Sequence, residues 1–373
     1  MPASPHRGTV NEAQWIDSAV RLDVWISTHA ATPHAIGIDT EFVRESTFYP
    51  RLALVQLAVA GEIALLDPLA FDARALREWL DSAHGRCLMH SAGEDVEALR
   101  TLLPNGPPRL FDTQVAAAFA GLGAGIGYQR VVSGLLGVDL PKDATRSDWT
   151  RRPLSAAQHA YAVQDVAHLE ALHTQLAARL QARGYMAWFE EDCLRLSRRA
   201  DERFDEQPQR ALRAAADWPI ERIARLRALL LWREDAARRY DVPRNWLLRD
   251  EHCLDLALNP PADAATLDAR TRGQRALRHA PRAELWACLQ QPPDATFVAD
   301  TQRPDELLRD ARKRAFDAMR TCVDAESVRL DLPAGLLCPR RALERYIASR
   351  DWPAELEGWR REALEARLAP LLA

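Results

Sequence analysis

What the sequence lacks narrows its function first. No apolar run approaches the roughly 20 residues that a bilayer-crossing helix requires; the longest stretch without a charged or polar side chain, Val115 to Gly127, is mostly alanine and glycine. The opening MPASPHRGTVNEAQW has no apolar leader segment, so neither a membrane span nor an export signal is expected, which points to the cytoplasm. The six cysteines, at 87, 193, 253, 288, 322 and 338, come no closer than sixteen positions. That spacing excludes CxxC and zinc-knuckle motifs and predicts reduced, unpaired thiols. Lysine is nearly absent: Lys142 and Lys313 stand beside 47 arginines, a bias assigned to a GC-rich genome and not to chemistry.

The 373 residues are 47% hydrophobic and 27% charged. This is the balance of a globular protein, and at roughly 100 to 200 residues per domain it predicts two or three domains. The net charge of −4 conceals an asymmetry: residues 1–194 carry 16 basic and 23 acidic side chains, and residues 195–373 carry 33 and 30. The first part is therefore −7 and the second +3. Arg270, Arg272, Arg275, Arg278 and Arg282 follow one another with no acid after Arg270. Such a stretch can track a phosphate backbone, or it can be a solvated face held in local ion pairs.

The first part alternates strand-like and helix-like segments. AIGIDTEF, RLALVQLAV and EIALLDPL read as three strands, 73–82 as a helix, RCLMHSA as a strand, EDVEALRTLL as a helix stopped by Pro104, and LFDT as a lead into the helix QVAAAFAG. LSAAQHAYAVQDVAHLEALHTQLAARLQ reads as one long helix with Ser155 as its N-cap. This pattern is α/β. Beyond about 195 the strand signal vanishes, and RRADERFDEQPQR reads as a linker, with a boundary near 205. A weak repeat at ninety residues, Asp241-Val242-Pro243 against Asp331-Leu332-Pro333, predicts two small helical modules.

Asp39 and Glu41 lie two apart in an apolar β run, which puts both carboxylates on one sheet face. Paired acids in a partly buried strand repel unless a cation compensates, so they suggest metal ligands. The alternative is a strand that ends at Ile38, leaving both acids in a solvent-facing turn, and the two residues alone do not decide. Asp95 opens a helix at the end of a β-α unit, where α/β sheets place their sites but where any acid also favours the helix dipole. Tyr161 and Asp165 are four apart and share a helix face. Asp112 reads as a structural acid near a helix N-terminus.

In combination, DTEF, HSAGEDVEAL and YAVQD resemble the three motifs of the DEDD exonuclease superfamily, in the subclass whose third motif is Tyr-x-x-x-Asp. IDTEFVRESTFYPRLALVQLA, LFDTQVAAAFAG and RSDWTRRPLSAAQHAYAVQDVAHL are similar to the bacterial ribonuclease D family. The two repeats resemble the helicase-and-RNase-D C-terminal (HRDC) modules that follow its catalytic domain.

The resemblance implies a ribonuclease-H-like α/β exonuclease domain over 1–205, a first HRDC domain over 206–298 and a second, HRDC-like domain over 299–373. It implies that Asp39, Glu41, Asp95 and Asp165 hold two divalent cations, Mg²⁺ or Mn²⁺, and that Tyr161 positions the attacking water. The sister subclass has histidine where this chain has Ala160, which leaves His159 off register as a surface residue. His90, Arg146 and Arg152 are candidate contacts to nucleic acid. The expected activity is 3′-to-5′ exoribonuclease trimming of structured RNA, tRNA precursors in particular, by a monomer acting on RNA with a free 3′ end. The competing expectations are a 3′-to-5′ DNA exonuclease and a nucleic-acid-binding protein with a vestigial metal site.

Overall fold

A computed structural model describes residues 13–30, 35–82, 85–141, 147–198, 205–304 and 310–372. Arg146 lies outside them. The amino-terminal half builds β1 (Gln14–Ile16), α1 (Ala19–His29), β2 (Ile36–Val43), β3 (Arg51–Val59), β4 (Glu62–Leu66), α2 (Arg74–Ser82), β5 (Cys87–Met89), α3 (Gly93–Ala98), β6 (Phe111–Asp112), α4 (Thr113–Phe119) and α5 (Tyr128–Leu136). It ends with α6 (Ala156–Ala167), α7 (Leu169–Arg183) and α8 (Met186–Ser197). The strands form one mixed sheet in the order β1-β4-β3-β2-β5-β6, with β3 antiparallel to its neighbours β2 and β4 and the outer pairs parallel. From Ala53 to Leu57, β3 is buried at every residue. A strand covered on both faces reads as the near-continuous apolar run seen in its sequence.

The helix expected over 154–181 begins as anticipated: the Ser155 side chain caps α6 in a reciprocal capping box with Gln158. It does not run through, because it breaks at His168. There the Tyr128 hydroxyl donates to the Gln164 carbonyl (3.2 Å) and accepts from the His168 amide (3.1 Å). It thereby replaces the i to i−4 bond that would have joined those two groups. A side chain inserted into the ladder is a recognised cause of a helix bend.

The second half is helical throughout: α9 (Ile220–Arg239), α10 (Arg244–Leu247), α11 (Asp250–Leu258), α12 (Ala264–Arg270), α13 (His279–Gln290) and α14 (Ala295–Asp300), then α15 (Asp310–Leu330), α16 (Ala334–Leu337), α17 (Arg340–Ser349) and α18 (Trp359–Leu368). The starts of α10 and α11 recur ninety residues later in α16 and α17. Both long helices end in an aspartate with positive φ, Asp241 at 48° and Asp331 at 50°. Each is followed by the same backward amide bond, Val242 to Ala237 and Leu332 to Ser327.

The two helical modules pack differently. Residues 215–289 close around their own apolar core of Leu226, Leu229, Leu256, Leu277 and Leu285. Met319, Val323, Leu343, Trp359 and Leu364 instead belong to the same continuous core as the sheet of the amino-terminal half. Trp359 stacks on Trp188 of α8 (4.8 Å) and meets Phe119 of α4 edge-on. Arg360 makes a paired ion bridge to Asp192 (2.5 and 2.7 Å), with both side chains only 9% exposed. No helix among the described residues is long and apolar enough to cross a membrane.

Candidate active site

β2 continues past Ile38 to Val43, so Asp39 and Glu41 stand on the strand and not in a turn. The pleat turns both toward the helix layer that includes α6; Gly37, on the same face, lies under Val166 and Leu169. Had Gly37 carried a Cβ, it would press within 3.1 Å of Ala58, so the glycine lets helix and sheet approach closely. α6 lowers Asp165 onto this face. Carboxylate oxygens of Asp39, Glu41 and Asp165 then lie within 4.8 Å of one another.

Asp95 arrives from the other side of the strand. In the first turn of α3 it accepts a hydrogen bond from the Thr40 hydroxyl (2.5 Å). It lies close enough to raise the pKa values of both Asp39 and Glu41, but it is not in the tight group of three. Its helix is aimed by Asp112, whose buried carboxylate caps α4 through the Gln114 and Val115 amides and also accepts from the Ser91 and Ala92 amides that lead into α3. Asp112 is thus the structural acid expected of it.

Burial and mutual repulsion keep these carboxyls reluctant to ionise. The Glu41 carboxyl is pushed up to about 8, by burial first and then by Asp165 and Asp95. Asp165 rises to about 7, and Asp95 to about 6, again mainly through burial. Asp39 is raised well above the usual range by burial and by all three of the other acids. Tyr161, one helical turn before Asp165, interacts with its carboxylate and lowers its pKa somewhat against the effect of burial. Burial and the surrounding acids lift its phenol well above its ordinary value, so it stays protonated.

The set fits divalent cations. One carboxylate oxygen of Asp165, Oδ2, is buried without a hydrogen-bond partner among the described residues. Unpaired carboxylates this close repel one another, and a cation removes that cost. The donors are hard oxygens with no thiolate or imidazole, which suits Mg²⁺ or Mn²⁺ over softer metals.

The weaker candidates fare differently. Both ring nitrogens of His90 are engaged, Nδ1 with the Thr113 hydroxyl (2.8 Å) and Nε2 with the Ile126 carbonyl (3.1 Å), and its ring meets Tyr128 edge-on. This is a satisfied histidine at the edge of the core. Arg152, the other candidate, is tied into the protein. Its five N–H groups go to both carboxylate oxygens of Asp67 and to the carbonyls of Trp149, Arg151 and Ala53. His159 is half-buried beside Trp15.

Two residues near the carboxylates escaped sequence reasoning. Tyr128 bends the helix that carries Asp165, and nothing local to its sequence signals this. Gln56 is paired across β3 and β2 with Asp39. It is fully buried, and neither its amide oxygen nor its nitrogen has a partner among the described residues. A polar residue inside the run LALVQLAV was the available signal.

Residues 13–181 match the 3′-5′ exonuclease family, and residues 222–280 match the HRDC domain. The chain is 42% identical over 349 residues to ribonuclease D of Xanthomonas oryzae pv. oryzae, covering 92% of this chain and 94% of that one. It is 30% identical to ribonuclease D of Shewanella sp. (strain ANA-3), with 96% and 94% covered. Among solved structures it resembles Escherichia coli RNase D, an exoribonuclease involved in structured RNA processing, with a TM-score of 0.83, 29% identity and coverage of 96% and 98%.

Proposed function

The chain belongs to the ribonuclease D family and is a 3′-to-5′ exoribonuclease, and from this we propose that it trims the 3′ ends of tRNA precursors and other structured RNAs by two-metal-ion hydrolysis. The observation that carries the mechanism is the convergence of Asp39, Glu41 and Asp165 within 4.8 Å, with Asp95 tethered alongside by Thr40. These four carboxylates would hold two divalent cations, Mg²⁺ or Mn²⁺. Such ions, when bound, activate water and stabilise the leaving 3′-oxyanion.

Each cycle adds water to the terminal phosphorus and breaks its bond to the 3′-oxygen of the preceding nucleotide, releasing a nucleoside 5′-monophosphate. Tyr161, whose phenol stays neutral, positions the attacking water by a hydrogen bond, the role that gives the tyrosine subclass its name. Thr40 and Asp112 are positioning residues for Asp95.

The catalytic unit is ribonuclease-H-like and spans 1–205, with a first HRDC domain over 206–298 and a second, HRDC-like domain over 299–373. The ninety-residue recurrence of two helix starts and of a left-handed aspartate supports the second of these. The protein acts as a monomer on RNA with a free 3′ end.

The test is nucleotide release from a 5′-labelled tRNA carrying a short 3′ trailer, with Mg²⁺ or chelator, in the native protein and in Asp39→Asn, beside a matched DNA strand. Stepwise shortening that needs metal, prefers RNA and disappears in the variant is the expected result. Preference for DNA, or cleavage that survives in Asp39→Asn, would overturn the reading.

A further inference from the structure

The stretch from Arg270 to Arg282 separates into paired and unpaired arginines. Arg270 is bound to Asp255 (2.6 Å), and Arg282 faces Asp268 (3.2 Å). Other arginines of this module are paired as well: Arg227, Arg233 and Arg239 each hold an acid at 2.7 to 2.8 Å. Arg272, Arg275 and Arg278 are not, and they stand together. All three are exposed, and none has an acidic partner among the described residues. They line a single concavity of about 470 Å³ between α12 and α13, with Arg275 lying over the Trp246 ring at 5.1 Å.

Three like charges on one small concave surface repel one another, and two further features sharpen the imbalance. Arg278 is the N-cap residue of the twelve-residue α13, whose first turn contains no acid and whose amides receive no side-chain cap. A cation at a helix N-terminus opposes the helix dipole, so this position favours an anion. Gly273, with φ of +93°, also lines the concavity, and a Cβ there would meet nothing within 4 Å. The only acid lining the concavity, Asp268, is already engaged by Arg282.

We infer that Arg272, Arg275 and Arg278 form a phosphate seat that holds the folded body of the RNA while its 3′ end is trimmed elsewhere. The inference rests on RNA being the substrate. The chemistry selects a polyanionic backbone over a base sequence, because exposed guanidinium groups around an open concavity meet phosphate oxygens by charge and paired N–H donors. Local charge concentration, not the overall charge of −4, governs such contact.

The experiment uses the full chain and Arg272→Gln/Arg275→Gln/Arg278→Gln. KM and kcat are measured on a tRNA with a 3′ trailer and on a single-stranded RNA hexamer, and tRNA affinity in chelator is followed across KCl concentration. The expected result is a KM for the tRNA raised roughly tenfold and a slope of log affinity against log salt reduced by roughly 2 to 3, with hexamer kinetics unchanged. The corresponding triple lysine variant keeps most of the affinity. Unchanged tRNA affinity and salt slope would overturn the seat, as would an equal loss on the hexamer or a lysine variant as weak as the glutamine one. Failure of the exoribonuclease reading is a separate result: native protein that binds tRNA but does not shorten it with Mg²⁺.

Discussion

The two helical modules share a ninety-residue register and are put to opposite uses. In the first, most apolar residues turn inward to a private core, and contact with the catalytic half centres on Phe48, which packs on a small apolar cluster of Ala236, Ala237 and Leu247. Asp241 accepts from the Phe48 and Tyr49 amides (3.0 Å each), and Phe48 lies between Arg238 and Arg244 at 5.1 and 4.6 Å. In the second, Asp331 likewise meets the catalytic half, accepting from Arg183 (2.8 Å). There, however, the rest of the module has merged with that half: Trp359 is 1% exposed against α4 and α8, and the Arg360–Asp192 bridge is sealed beneath it. One helical pattern can therefore serve as a separate body with free charge on its surface, or as part of another domain's interior. The loops and docking residues decide which.

The largest effect that would break this contrast is at the sealed bridge. Asp192→Ala leaves Arg360 buried without a counter-charge and strips an acceptor from the Trp359 indole; it should cost about 3 to 5 kcal/mol. Removing Glu284, which pairs with the more exposed Arg239 in the first module, should cost under about 1 kcal/mol. Denaturant unfolding of the two variants checks both figures, and equal losses would refute the distinction. Next comes Gly358→Ala. Gly358 has φ of +72° and ψ of −136°, a region open to glycine alone, and a Cβ there would overlap the Glu191 carboxylate. The expected cost is about 2 to 3 kcal/mol, read as a lower melting temperature of the catalytic half, with no change in the first module.

A pH series separates the halves by chemistry. Glu41, Asp165 and Asp95, at about 8, 7 and 6, sit above their unfolded values, so the folded state holds protons that the unfolded chain has released. In chelator, the stability of the catalytic half should be highest below about pH 4 for these groups and fall as pH rises to about 8. Mg²⁺ should flatten the decline by binding only the folded state. Calorimetry from pH 5 to 8.5 checks this, and Asp165→Asn should melt higher than the native protein in chelator at pH 8. A catalytic-half transition that ignores pH in chelator would contradict it. Smallest is Asp241→Ala: loss of two amide contacts should loosen the first module by about 1 kcal/mol, seen as faster hydrogen exchange at Phe48 and Tyr49 with both modules still folded.

Much of the site was legible in the sequence because its signals are local. The period of two put Asp39 and Glu41 on one face, the spacing of four put Tyr161 and Asp165 on another, and the Ser155 cap lay where its motif stands. What was not legible depends on contacts distant in sequence. The break at His168 is caused by Tyr128, forty residues earlier. Arg152 looked available until Asp67, eighty-five residues away, took its donors. The arginine stretch offered two readings that only its partners could separate. The merging of the second module with the sheet was hidden for the same reason: nothing local to Trp359 shows that it stacks on Trp188 of α8, 171 residues earlier.

That merging has a consequence for how the protein is made. The core that supports the catalytic sheet is written in two instalments, before Ser197 and after Phe316, with a self-contained body translated between them. At roughly 5 to 20 residues per second, the ribosome finishes the first module while the nuclease half still lacks its last supporting layer. A chain emerging into a cell full of RNA thus gains the means to hold phosphate before its cutting machinery is fully braced.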